Sequence, residues 1–315
     1  MNPFLVRLLS CFIPNKSKRH LFVYNHLYNV LNYGDKKVIT GQETQDLIMA
    51  ELLSDKPSLI CRFGNNEFET LYSYLKKHKN YSKNLQQRMD TGAGFFPVKK
   101  ETLNKFSEEL LKLIPNIDIL AAWCSEKESR ICKEIFLKDT KYVNLDSLCS
   151  ITYETPWTSI LKNKKVLVIH PFEDSIRKQY ERRELLFKNK ETLPDFELIT
   201  MKPVQSIADN KFEYPYKSWF EALNSMENQI NNIDFDIAII GAGAYGIFLA
   251  NYCKQLGKKA VHVGGATQIL FGISGKRWDL EYKEIRENYY NEYWIRPSEN
   301  ERPKGLNKVE DGCYW

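Results

Sequence analysis

One local pattern recurs along this chain and limits what it can fold into. A short apolar run is followed by a loop of glycine and polar residues, then by residues at helical spacing. It occurs in "SLICRFGNNEFETL" (58–71), "KKVLVIHPFEDSIRKQYERRELLF" (164–187), "FDIAIIGAGAYGIFLANYCKQLG" (235–257) and "KKAVHVGGATQILFG" (258–272). A weaker fifth case is "IDILAAWCSEKESRICKEIF" (117–136). Strands alternating with helices predict a mostly parallel sheet with helices on both faces. The unbroken apolar character of VLVI and IAII predicts central strands buried on both sides. The expected class is therefore α/β and Rossmann-like, with a helical N-terminal arm.

The domain plan follows from the same pattern. Residues 1–40 read as the arm, 41–290 as the main domain and 291–315 as a C-terminal strap rich in aromatic residues. A break near 153–165 divides the main domain into halves, 41–155 and 156–290. The helix "KSWFEALNSMENQI" carries Trp219, Phe220, Leu223, Met226 and Ile230 on one stripe and is expected to be core.

In sheets of this kind ligands bind beyond the carboxyl ends of the strands. The polar residues of the four motifs fall at those ends. The first apolar run ends in Arg62, Gly64, Asn65, Asn66 and Glu67. Glu67 is placed to hold a divalent cation with a neighbouring oxygen, or to take a proton from an acceptor hydroxyl. It also sits where a first-turn acid favours the helix dipole. His170 ends the second run and reads as a general base or phosphate ligand. Asp174 reads either as a further catalytic acid or as a helix cap.

"GAGAYG" (241–246) fits G-x-G-x-x-G between a strand and a helix. Gly241, Gly243 and Gly246, with Tyr245, are expected on the donor side, where bare backbone can approach phosphate. A dinucleotide site also wants an acid at the tip of the next strand. That strand ends in His262, Val263, Gly264 and Gly265, so no nicotinamide cofactor is expected. Gly264, Gly265, Thr267 and Gln268 open a helix, and Lys276 and Arg277 follow. Backbone N–H groups with a Lys/Arg pair suit a diphosphate, or the two cations form a solvated surface pair.

Bulk properties exclude some classes. Basic and acidic residues are interspersed and the net charge is only +5, so no nucleic-acid partner is expected. The seven cysteines form no CxxC pair, which fits a reducing compartment. The opening apolar stretch, "MNPFLVRLLSCFI", is interrupted by Arg7 and falls short of the roughly 20 residues that span a bilayer. Its basic residues, Lys16, Lys18 and Arg19, come afterwards, which is not signal-peptide order. Two readings stay open for it: a segment lying on an anionic membrane surface, or a helix docked on the protein's own body.

"LICRFGNNEF" resembles the "RIGDGE"-type segment of bacterial glycosyltransferases of the GT-D fold. The stretch from "IIGAGAYG" to "GGATQILFG" resembles the second Gly-rich, nucleotide-side region of the same group. The resemblance covers roughly residues 50–280 and is specific in these two blocks. It implies a nucleotide-sugar donor, UDP-hexose in the typical case, and a glycan or lipid-linked acceptor in surface polysaccharide synthesis. With the apolar, basic N-terminal segment, the expected location is cytoplasmic, at the inner face of the membrane. The resemblance also implies a DXE motif holding Mg²⁺ or Mn²⁺ with the donor diphosphate. Here the matching triplet is Asn65, Asn66 and Glu67, so the metal candidates are Glu67 and Asn65, with an amide in place of the first acid. An amide oxygen attracts a hard cation less than a carboxylate does. Arg62, Lys276 and Arg277 would then stabilise the leaving diphosphate. Two alternatives are a Rossmann-type nucleotide- or nicotinamide-dependent enzyme and a non-catalytic nucleotide- or glycan-binding partner.

Overall fold

Seven short strands form one sheet in the computed structural model, which describes residues 3–13, 26, 33, 36–135, 139–309 and 312–315. They are β1 (Ser58–Cys61), β2 (Ile119–Ala122), β3 (Lys141–Asn144), β4 (Lys165–Ile169), β5 (Glu197–Met201), β6 (Ile237–Ile240) and β7 (Lys259–His262). Their spatial order is β3-β2-β1-β7-β6-β4-β5. Every pairing is parallel. The one sheet draws strands from both sequence halves. Parallel neighbours need long crossovers, and the helices supply them.

Burial follows the period of two expected of a strand. In β1, Leu59 and Cys61 enter the core on one face, and Ile60 enters the core on the other. The first face is covered by helices Asn65–Lys76, Lys100–Leu113, Trp219–Ile230 and Gly246–Gln255, the second by Glu43–Leu53 and Glu173–Glu181. Each fully buried Val, Leu or Ile contributes about 1.5–3 kcal/mol to this packing.

Helix Trp219–Ile230 begins where Ser218 accepts from the Glu221 N–H at 3.2 Å. Trp219, Leu223, Met226 and Ile230 are buried and Phe220 packs partly against them, as the stripe predicts. Trp219 gathers Phe95, Phe106, Tyr245 and Phe248 around its ring.

The path through the sheet places the site. Connections from β1 to β2 and β3 step one way, while β4 to β5 steps the other. β6 and β7 close the gap between them. The carboxyl ends of β1, β7, β6 and β4 therefore stand side by side. The C-terminal strap runs back over this end. Ile295 pairs with Ile273, and Trp315 meets Phe172 just past β4, ring centres 5.7 Å apart.

Of the N-terminal arm, helix Pro3–Ser10 is described. Lys16, Lys18 and Arg19 lie outside the described residues.

Candidate functional site

Arg62 leaves the tip of β1 half-buried. Its guanidinium lies over the Trp123 ring, 4.8 Å from the centroid. It makes no hydrogen bond or ion pair among the described residues. Gly264, at the tip of β7, faces it: the residue is left-handed (φ +73°), and a Cβ there would stand 3.2 Å from Arg62 Nη1. A guanidinium without a hydrogen-bond partner, at the junction of two parallel strand ends, carries the donors that an anion would need.

Two buried carboxylates flank this cation. Glu67 is the third residue of helix Asn65–Lys76, and its side chain folds back over Gly64, where a Cβ would collide with Oε2 at 1.9 Å. Burial raises its pKa, while its own backbone N–H and Arg62 oppose the rise. Glu128 stands at the matching place in helix Glu126–Ile135, after β2. Burial pushes it up to about 7, opposed by Tyr33, the N–H groups of Trp123 and Cys124, and Arg62. The Tyr33 hydroxyl donates to Glu128 Oε2 at 2.6 Å. Glu128 and Trp123 are absent from the sequence reading. The signals were present: Trp123 ends an apolar run, and "SEKE" is an S-x-x-E capping signature.

The two asparagines diverge. Asn65 is exposed. Asn66 accepts from Arg88 Nη1 at 3.1 Å and so joins the β1 tip to helix Lys83–Thr91.

The glycines sort by what approaches them. Gly243 is left-handed (φ +52°) and nothing lies within 4 Å of its Cβ position, so its backbone is open to a ligand. Gly241 and Gly246 serve the protein instead. A Cβ on Gly241 would come within 2.6–2.7 Å of His170 Cδ2, Gly264 O and Thr267 Oγ1, and one on Gly246 would meet the His262 ring at 2.2 Å. Gly265 likewise accommodates the Tyr314 ring. Tyr245 does not reach the crevice. It stacks on Trp219 at 4.6 Å, and its hydroxyl shares a hydrogen bond with Ser206.

Several polar candidates hold the fold together. Thr267 donates to Gly264 O at 2.8 Å. Gln268 donates to Ser274 O and Tyr314 O, joining the β7 loop to the strap. Arg277 donates to the Tyr314 hydroxyl at 2.7 Å and lies over its ring, and Lys276 beside it is exposed. His170 is buried, and its Nδ1 accepts from the Phe172 N–H at 3.1 Å. That bond puts the proton on Nε2, and burial lowers the pKa to about 3. The only lone pair of His170 is therefore engaged and its Nε2–H can only donate, so it is not placed to act as a general base. Asp174 is exposed and binds Arg177 and Asn300. The cap expected of it is made by Glu301, which accepts from the Asp174 and Ser175 N–H groups.

The residues proposed for a metal do not fit one. Glu67 is turned onto Gly64, Asn65 lies in solvent, and no group of three His, Cys, Asp or Glu side chains converges among the described residues. A groove of about 470 Å³ lies at the opposite, amino, end of β4, β5 and β6. Lys165 and Asp234 in it pair with each other at 2.5 Å.

No family model matches the chain, and no curated protein matches it. Two solved structures are similar in fold, both of the domain of unknown function 1792. One, in selenomethionine-substituted form, is 12% identical and covers 85% of this chain and 87% of its own, with a TM-score of 0.44. The other, described as having a distinct glycosyltransferase fold, is also 12% identical and covers 92% and 93%, with a TM-score of 0.48.

Proposed function

We propose that the protein is a glycosyltransferase that takes a nucleotide-activated sugar, with UDP-hexose as the expected donor. The observation that carries this reading is Arg62: a half-buried guanidinium with no hydrogen-bond partner among the described residues, packed against Gly264 at the carboxyl ends of a parallel sheet. In the reaction an acceptor hydroxyl attacks the anomeric carbon. The bond from that carbon to the diphosphate oxygen breaks, and a nucleoside diphosphate leaves. Arg62 neutralises the charge that develops on the leaving group, the kind of preorganised stabilisation that carries much of enzymatic rate. Glu67 takes the hydroxyl proton. Its raised pKa suits a proton acceptor, whereas the His170 lone pair is taken up by the Phe172 N–H.

A second reading has its own support. The Glu67 carboxylate covers the helix start at Gly64, as a purely structural acid would. A non-catalytic nucleotide binder fits that geometry.

The acceptor is proposed to be a glycan or lipid-linked glycan of a bacterial surface polysaccharide, met at the inner face of the membrane. Among the described residues no helix is long and apolar enough to cross a membrane. Helix Pro3–Ser10 turns Leu5, Leu8 and Leu9 outward, followed by Phe12 at 78% exposure, while Val6 and Ser10 are buried. An apolar outward stripe with Lys16, Lys18 and Arg19 next in sequence suits an anionic lipid surface.

The test is thermal shift of the purified protein with UDP, GDP, dTDP and CMP sugars and with NAD(P), each with and without Mn²⁺. A ligand bound to the native state raises Tm. A rise with one sugar nucleotide, independent of Mn²⁺, is expected. A rise with NAD(P) alone would point to a reductase instead, and a strict need for Mn²⁺ would overturn the Arg62-based site.

A further inference from the structure

We infer that Trp123 is the base-stacking half of a nucleotide subsite whose phosphate half is Arg62. This rests on the nucleotide-sugar reading above and adds to it how the nucleoside is held. Trp123 directly follows β2. Its Nε1–H donates to Phe63 O at 2.7 Å, which pins the indole between the tips of β1 and β2. The residue is nonetheless 36% exposed. A large aromatic ring is costly to leave in water at a fixed orientation, and it gains when a flat ligand covers it.

The neighbouring charge selects the ligand. Arg62 lies over the same ring at 4.8 Å and has no hydrogen-bond partner among the described residues. The left-handed Gly264 has no side chain to displace the guanidinium, which packs against it. A rigid aromatic surface next to an unpaired guanidinium matches a flat ring carrying a phosphate a few bonds away. A nucleoside diphosphate has that form. The indole loses little rotamer freedom on binding, because the bond to Phe63 has already fixed it. Every base presents a π-face, so the platform tolerates base identity, and the rest of the site must choose among bases.

The experiment compares three ligands by titration calorimetry: UDP, GDP and inorganic pyrophosphate. The proteins are wild type, Trp123→Ala, Trp123→Phe and Arg62→Ala, each checked for an unchanged circular dichroism spectrum. Trp123→Ala is expected to weaken UDP and GDP about tenfold or more and to leave pyrophosphate within twofold, with Trp123→Phe close to wild type. Arg62→Ala is expected to weaken all three ligands. Equal weakening of UDP and pyrophosphate by Trp123→Ala would mean that the indole only positions Arg62, which overturns the stacking role. Unchanged UDP binding in Trp123→Ala would overturn it while leaving the transferase reading intact. Failure of wild type to bind any of the three would remove both.

Discussion

The imidazole of His262 occupies the space in which a side chain on Gly246 would stand. A Cβ on Gly246 would come within 2.2 Å of His262 Cε1 and 2.4 Å of Nδ1. His262 is fixed there by its bond to Ile240 O at 3.2 Å. A carbonyl accepts, so the proton is on Nδ1. The third glycine of "GAGAYG" therefore lets β7 and helix Gly246–Gln255 approach each other, with a ring rather than a pyrophosphate between them.

Gly246→Ala is expected to destabilise the fold by about 1–3 kcal/mol, the usual cost of overpacking a core position. The ring is buried and tied to Ile240 O, so it cannot swing aside like a flexible chain end. In His262→Ala the space is vacated, so the double variant should be less destabilised than the sum of the single variants by at least about 0.5 kcal/mol. Urea unfolding of the four proteins measures this. Additive losses would mean that the ring is not what demands glycine.

The sheet was legible where both faces are buried. β4 and β6 read as VLVI and IAII because neither side meets water. β3 and β5 were missed because they are the two edges of the sheet. β5 exposes Glu197 and half-exposes Leu198, Ile199 and Thr200, so no apolar run marks it. At the site, Arg62 was legible as a charge ending an apolar run. The glycine turns were read as ligand contacts because their true neighbours are distant in sequence. Tyr314 reaches Gly265 from 49 residues away by numbering, and no local pattern announces that.

Arg62→Ala should lower transfer activity by about 10²-fold or more, as expected when a preorganised charge at the leaving group is removed. Stability should fall modestly, because buried Glu67 and Glu128 lose the charge that opposes their raised pKa values. No ion pair is lost, and the contact with Trp123 is worth about 0.5–1 kcal/mol. Arg62→Lys keeps the charge but not the planar fork, so it should recover only part of the activity. Steady-state kinetics beside a melting curve decides it. Full activity in Arg62→Ala would remove the anion anchor from the mechanism.

Glu67→Gln separates a proton acceptor from a structural acid. The amide oxygen can still lie over the helix start at Gly64, so Tm should stay within a few degrees of wild type. It cannot take a proton at neutral pH, so kcat should fall by about 10²–10⁴-fold, the range for general acid–base catalysis. Unchanged kcat would leave Glu67 with the helix and favour the non-catalytic reading.

Glu128 imposes a pH dependence whose sign is fixed. Its pKa is about 7 in the fold against an ordinary value of 4.5. The folded chain thus holds this proton more tightly than the unfolded chain does. The contribution to stability is complete below about pH 4.5 and declines as pH rises toward 7. Glu67 acts in the same direction. His170 and His262, both lowered to about 3, act oppositely and cost stability as pH falls below 6.5. Glu128→Gln removes one of these terms. Measured by urea unfolding between pH 5 and 7.5, the variant should gain on wild type as pH rises, by up to on the order of 3 kcal/mol. A constant difference across that range would mean that Glu128 does not titrate there.

Glu301 ties the C-terminal segment to the helix after β4. The carboxylate is 3% exposed and accepts from the Asp174 N–H at 2.9 Å, the Ser175 N–H at 3.3 Å and the Ser175 hydroxyl. These N–H groups open helix Glu173–Glu181 and have no partner within it. Glu301→Ala strands the buried Ser175 N–H and hydroxyl, at a cost of about 1–3 kcal/mol. Glu301→Gln keeps one acceptor oxygen and should recover about half of that. The helix begins just beyond His170 and Phe172, and Trp315 packs on Phe172. Loosening this cap should therefore also raise hydrogen exchange in residues 312–315. If Glu301→Ala lowers stability while exchange there is unchanged, the cap supports the helix alone and the strap is held from the β7 side, by Gln268 and Arg277.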